Sequence, residues 1–167
     1  MKKFRDNITF KSLSGIVILL LIFSIIVTTM GYIEFTRVLE QQYSEEAFHT
    51  AFTSALEVDG NRIAEYAESG GTTEEYENVR KRLDLLCNST DSTFIYVITP
   101  DRTDYGHITF LFSTQNRKSK YDPYSFGYVR ETTNDEYREK YRALYEGKTG
   151  RELVIRDKGY IECPAAD

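Results

Sequence analysis

Arg117, Tyr121, Tyr124, Tyr128 and Arg130 all fall in one stretch, residues 114–133, TQNRKSKYDPYSFGYVRETT. Aromatic rings give a small organic ligand flat apolar walls, and an arginine fork can hold a carboxylate through two parallel N–H bonds. Just upstream, Tyr96, Phe110 and Phe112 lie on two predicted strands that would bring further rings to the same place. These eight residues are the candidate ligand-binding set. The competing reading is plainer: the tyrosines cover a sheet, while Arg117, Lys118, Lys120 and Arg130 are solvated. Residue types do not separate the two.

Other chemistries find less support. His49 and His107 are the only histidines, and neither belongs to a His-x-x-x-His or Cys-x-x-Cys pattern, so no metal site is expected. There is no G-x-S-x-G motif and no phosphate-cradling glycine loop; Gly70-Gly71 joins two predicted helices rather than following a strand. Carboxylates are plentiful, but no pair stands out as buried. Neither a catalytic residue nor a cofactor is expected, and the chain does not read as an enzyme. Cys87 and Cys163 are far apart in sequence. A disulfide between them is open, but Cys87 reads better as a small buried apolar residue near a helix end.

The elements that must position the candidate residues follow from periodicity. Residues 93–99, TFIYVIT, are β-branched and aromatic and are closed by Pro100-Asp101, the mark of a strand with a stop. Residues 107–113, HITFLFS, form its hairpin partner. Strict alternation puts Ile108, Phe110 and Phe112 on one face and His107, Thr109 and Leu111 on the other. The stretch 114–133 is expected to be irregular, a length typical of loops that bind or move. Asn134 is placed to cap a helix over 135–146, with Tyr137, Tyr141, Leu144 and Tyr145 inward. A third strand is expected at 151–155 and a fourth at Tyr160-Ile161. Upstream, Thr72 and Glu75 resemble a capping box for a helix that buries Tyr76, Val79, Leu83 and Leu86 and ends near Asn88. A shorter helix, 62–68, precedes it, with Ile63, Tyr66 and Ala67 on one side. Before Asp59-Gly60-Asn61, a helix over 34–58 carries a stripe of Phe35, Leu39, Tyr43, Phe48, Ala51, Phe52, Ala55 and Leu56.

Ahead of all these lies the most unusual stretch. Residues 12–33, SLSGIVILLLIFSIIVTTMGYI, hold no charge. As a helix they extend roughly 33 Å, enough for a bilayer core of about 30 Å. The first eleven residues carry a net charge of +3 and the rest −8, against −5 for the chain. Basic flanks stay inside, so the expectation is a single-pass plasma-membrane protein, N-terminus cytoplasmic and the bulk extracytoplasmic. The apolar run exceeds a signal-peptide core, and Thr28-Thr29-Met30-Gly31-Tyr32 makes only a weak cleavage site, which reads as an uncleaved signal anchor. An acidic bulk repels phosphates, so nucleic acid drops out as a partner. The partners expected are the bilayer through 12–33, a second copy through 34–56, and a small-molecule ligand.

The wording is similar to a known family. ALEVDGNRIAEYAESGGTTEEYENVRKRL (55–83), FIYVITPD (94–101), NDEYREKYRALYEGKTG (134–150) and KGYI (158–161) resemble the extracytoplasmic Cache (PAS-like) sensor domains of bacterial membrane receptors. The resemblance spans roughly 34–161. It implies an α+β, three-layer domain whose sheet and loops enclose a ligand, with a second span carrying the signal to a cytoplasmic output module. The chain departs from that pattern after Ile161, where further central strands, the second span and the output module would follow, so the domain is expected to be incomplete. Without Trp, it also lacks the arginine–tryptophan amino-acid motif of double Cache receptors. The resulting division is a basic tail (1–11), a signal anchor (12–33), a stalk helix (34–58) and an incomplete sensor domain (59–167). The function expected is small-molecule sensing for a signalling receptor. The alternative is a membrane-anchored structural or protein-interaction module with no small-molecule ligand.

Overall fold

A computed structural model describes residues 2–90, 92–148, 154–155 and 158–159. The fold is α+β: a long N-terminal helix, further helices and a three-stranded antiparallel sheet. The chain divides into two compact units, residues 1–41 and 42–167.

Helix α1, Lys2–Leu56, supplies most of the first unit. Between Leu13 and Ile33 its large apolar side chains are all about half or more exposed. A helix that is apolar all round has no internal surface to bury against and needs an apolar surrounding instead. It is long and apolar enough to cross a membrane.

In the second unit the end of α1 buries Ser44, Thr50, Ser54 and Ala55, while Tyr43, Phe52 and Leu56 are exposed. Of the expected stripe, Ala55 is buried and Phe48 and Ala51 are partly buried, whereas Tyr43, Phe52 and Leu56 depart from it. The buried face is built of small residues, which allow close approach, and Ser54 Oγ donates within the helix to the Thr50 carbonyl at 2.7 Å. Tyr43, Phe52 and Leu56 lie beside that face rather than on it. The helix stops at Leu56, and Val58, 1% exposed, plugs the core just beyond.

Asp59 accepts from Asn61 N and caps a short 3-10 turn, Gly60–Arg62, that leads into α2, Ile63–Glu68. Gly70 and Gly71, both at positive φ, turn the chain into α3, Glu74–Ser89. The cap of α3 is Thr73, whose hydroxyl accepts from Tyr76 N. The expected cap, Thr72, instead donates back to the Ser69 carbonyl. α3 buries Tyr76, Val79, Leu83 and Cys87; Leu86 is only partly covered.

Strands β1, Phe94–Pro100, and β2, His107–Gln115, pair antiparallel, and β3, Val129–Glu131, adds to the far side of β2. β3 lies inside the stretch expected to be irregular. It is too short to show an alternation, and it is held by pairing with His107, Ile108 and Thr109. The hairpin register jumps: Val97 faces Phe112, but Ile98 faces Phe110. Leu111 is therefore the extra residue of a β-bulge, which shifts the parity of everything after it. The expected face of Ile108, Phe110 and Phe112 is broken. Leu111 and Phe112 pack with Ile95, Val97 and α3, whereas Ile108 and Phe110 pack on the opposite side.

That opposite side is covered by α4, Asp135–Tyr145, capped by Asn134 as expected. Its Tyr141, 2% exposed, joins Ile108 and Phe110, with Ile98, Tyr105, Tyr124 and Tyr137 around them. The sheet thus has a core on each face, α3 on one and α4 on the other. A two-residue pair, β4 (Val154–Ile155) and β5 (Lys158–Gly159), forms a separate hairpin. Tyr160, Ile161 and most of the expected third strand lie outside the described residues. So does Cys163. Cys87 is a free, fully buried thiol whose pKa burial pushes up, the unreactive protonated form.

Candidate functional site

Phe110 is the centre of the α4-side aromatic group. The bulge directly after it keeps it on that face, opposite Ile98. Its backbone also anchors the loop from 116 to 128: Gly127 N donates to the Phe110 carbonyl at 2.8 Å, and Phe110 N donates to the Tyr128 carbonyl at 2.9 Å. Between them Tyr128 N closes on the Ser125 carbonyl at 3.1 Å, a turn that puts Gly127 at φ +73, where glycine is favoured. Further back, Tyr124 N donates to Ser113 Oγ at 3.0 Å. These four bonds set Tyr124 and Tyr128 over the sheet.

The rings meet closely. Tyr124 lies 4.3 Å from Phe110 and stacks on Tyr128 at 5.1 Å and 10°. Tyr96 stands edge-on to Phe110 at 5.2 Å and tilted to Tyr124 at 5.8 Å. Phe94, absent from the expected set, stacks on Tyr96 at 5.5 Å. Period two along β1 would have found it. Tyr96 and Tyr128 remain 38% and 46% exposed, so each offers part of a ring face to solvent.

Arg130 completes the group. β3 alternation sends it to the same face as its partner Ile108. Its guanidinium sits 5.6 Å from the Phe110 ring centre and 5.8 Å from that of Tyr124, and Nη1 donates to the Tyr124 hydroxyl at 3.4 Å. Burial pushes the Tyr96 phenol up to about 12, with Tyr124 adding to the rise and Arg130 opposing it.

Of the eight candidate residues, Tyr96, Phe110, Tyr124, Tyr128 and Arg130 are brought together. The other three are not. Phe112 is buried on the opposite face, stacked on Tyr76 at 4.3 Å. Tyr121 is 74% exposed. Arg117 is exposed, and its backbone N–H is held by Asn88 Oδ1. Phe126 also leaves the group, standing edge-on to Tyr76 at 5.7 Å. The loop therefore straddles the sheet, with Tyr124 and Tyr128 on one face and Phe126 on the other.

Two further groupings were not foreseen. In the hairpin turn, Asp101, Asp104 and His107 have ligand atoms within 4.8 Å of one another. Their spacing of three and three escapes a search for histidine pairs. The turn already uses both carboxylates: Asp101 accepts from Thr103 N at 2.8 Å and Asp104 from Gly106 N at 2.7 Å. The first bond holds the Asp101 carboxyl below its usual range. Elsewhere, Glu46, His49, Thr50 and Thr53 of α1 and Leu86, Ser89 and Thr90 line a shallow groove of about 500 Å³. Its hydroxyls at Thr53, Ser89 and Thr90 are engaged by backbone carbonyls.

Comparison with protein-family models, curated proteins and solved structures finds no match to this chain.

Proposed function

We propose that this chain is the extracytoplasmic, small-molecule-sensing portion of a bacterial transmembrane signalling receptor, of the Cache (PAS-like) kind. α1 anchors it through 12–33, with the basic N-terminus in the cytoplasm. The observation that carries the reading is the five-residue group on the α4 face. Rings with open faces beside one cation, on a sheet held from behind by α3, make a surface suited to a small organic ligand.

Thermal-shift screening of the full chain in detergent against amino acids, organic acids and amines tests it. Stabilisation that disappears in Tyr128→Ala is the expected result. A folded sample that no compound stabilises overturns the sensory reading. The orientation is tested separately, by labelling single cysteines from outside intact cells after replacing Cys87 and Cys163. Ser119→Cys should label with an impermeant reagent and Lys3→Cys should not.

The second reading, an anchored interaction module, draws on the exposed Phe52, Leu56 and Leu85, which are 48%, 62% and 68% exposed. Apolar side chains presented in this way suit contact with another protein. It predicts self-association or a protein partner and no small-molecule stabilisation.

A further inference from the structure

We infer that the aromatic group selects a monocarboxylate bearing a flat aromatic ring, with the carboxylate held by Arg130 and the Tyr124 hydroxyl. This rests on the sensory reading and names its ligand class.

The argument starts from an unbalanced charge. Arg37, Arg62, Arg80, Arg82 and Arg138 each face a carboxylate, from Glu34, Glu65, Glu77, Glu57 and Asp135. Arg130 is partly buried, yet among the described residues it forms no ion pair. Its neighbours are two ring faces and one neutral hydroxyl at 3.4 Å, and Glu131 next to it is exposed. A guanidinium carries five donors, and among the described residues only the Tyr124 hydroxyl accepts from Arg130. A carboxylate supplies two acceptor oxygens in the matching plane. The Tyr124 hydroxyl accepts from Arg130 and keeps its own proton, which it can donate to the same anion.

Charge number favours a single negative charge. One cation on a chain of net charge −5 neutralises a monoanion, while a dianion such as phosphate meets the remaining negative field. The ring requirement follows from Tyr128 and Tyr96. Both are part-exposed and both belong to the cluster that Arg130 overlies, so an aryl group attached to the carboxylate stacks where water now meets an apolar face.

The test uses sodium benzoate as the probe and benzamide as its uncharged isostere, with the full chain in detergent micelles. Saturation-transfer NMR reads binding on the probe, and thermal midpoints confirm that each variant is folded. Benzoate is expected to bind and benzamide to bind at least tenfold more weakly. Arg130→Gln should weaken benzoate roughly 10- to 100-fold and Arg130→Lys less, because the charge survives and the fork does not. Tyr124→Phe should weaken it several-fold. Benzoate that binds equally to Arg130→Gln, benzamide that matches benzoate, or a folded chain that ignores benzoate overturns the carboxylate assignment. A neutral or cationic compound whose binding needs Tyr128 but not Arg130 overturns it too, while leaving the sensory reading intact. Failure of the whole compound screen overturns both.

Discussion

The Tyr76 hydroxyl donates a 2.7 Å hydrogen bond to the carbonyl of Leu111, the residue that the bulge leaves without a partner on β1. The bond crosses from α3 to β2 and gives the buried Leu111 carbonyl, at the bulge, a donor from the helix. It also fixes the parity switch that sends Phe110 to one face and Phe112 to the other. The bulge and the helix that supports it are thus part of how the candidate site is made.

Tyr76→Phe removes that donor and keeps the ring. It should cost about 1–2 kcal/mol, the penalty for a buried carbonyl left unmatched. Tyr76→Ala should cost about 3–5 kcal/mol, because the stack on Phe112 and the edge contacts to Tyr66 and Phe126 go with it. Denaturant midpoints followed by near-ultraviolet circular dichroism check both. A phenylalanine variant as stable as the parent would mean the Leu111 carbonyl finds another donor.

Gly70 and Gly71 make a second contrast. Both sit at positive φ, +63 and +71. A Cβ at Gly70 meets nothing within 4 Å, so Gly70→Ala should show backbone strain alone, about 1–2 kcal/mol. A Cβ at Gly71 would stand 3.0 Å from the Phe126 ring and 3.0 Å from the Tyr76 ring. Gly71→Ala should therefore be clearly the worse of the two by thermal midpoint, and Phe126→Ala in the same chain should recover part of the loss. Equal effects would show that the ring packing at this corner gives way freely.

Helices α3 and α4 and the hairpin were legible because their patterns are regular: Tyr76, Val79 and Leu83 at helical steps, and the β-branched run from Phe94. What escaped was each place where one residue changes the phase. The extra residue at Leu111 is invisible in composition, yet it moves Phe112 to the other face. The turn at Gly127 decides that Tyr124 and Tyr128 go one way and Phe126 the other, and that choice depends on bonds to Phe110 far upstream. At the end of α1 both small and large residues repeat at helical spacing. Ala55 of the expected stripe is buried, but where hydrophobicity pointed to Phe52 and Leu56, close approach favoured Thr50 and Ser54. Between Thr72 and Thr73 the cap could have been either by type; the second one reaches Tyr76 N.

Asn116 is a tie between elements. It is 7% exposed; its amide nitrogen donates to the Cys87 carbonyl at 2.9 Å and the Thr90 carbonyl at 3.2 Å, and its oxygen accepts from Lys118 N at 3.0 Å. It thereby closes the end of α3 onto the end of β2. Asn116→Ala should lower stability by about 2–3 kcal/mol, since carbonyls lose their donor. Asn116→Asp should be worse at neutral pH, where a buried carboxylate faces two carbonyls, and should improve on acidification, when its proton can serve one of them. Urea midpoints at neutral and acid pH distinguish the two variants; parity at every pH would remove Asn116 from the account of stability.

Alkaline titration reads the candidate site directly. Burial raises the phenols of Tyr66, Tyr76 and Tyr96 above the usual tyrosine value of about 10. Tyr96 goes furthest, to about 12. In the unfolded chain these phenols ionise first, so between those two values the folded form binds more protons and stability falls as pH rises. Below pH 10 the effect vanishes. Tyrosinate absorbance should therefore show a late group that ionises only well above the bulk of the 13 tyrosines. Tyr96→Phe should remove one member of that group. Arg130→Gln should push the Tyr96 phenol higher still, because the guanidinium is the neighbour that opposes its rise, and Tyr124→Phe should move it back down. If Arg130→Gln leaves the late group unchanged, the Arg130 charge does not act on the Tyr96 ring in solution, and the cluster at the centre of the proposed site is not assembled as described.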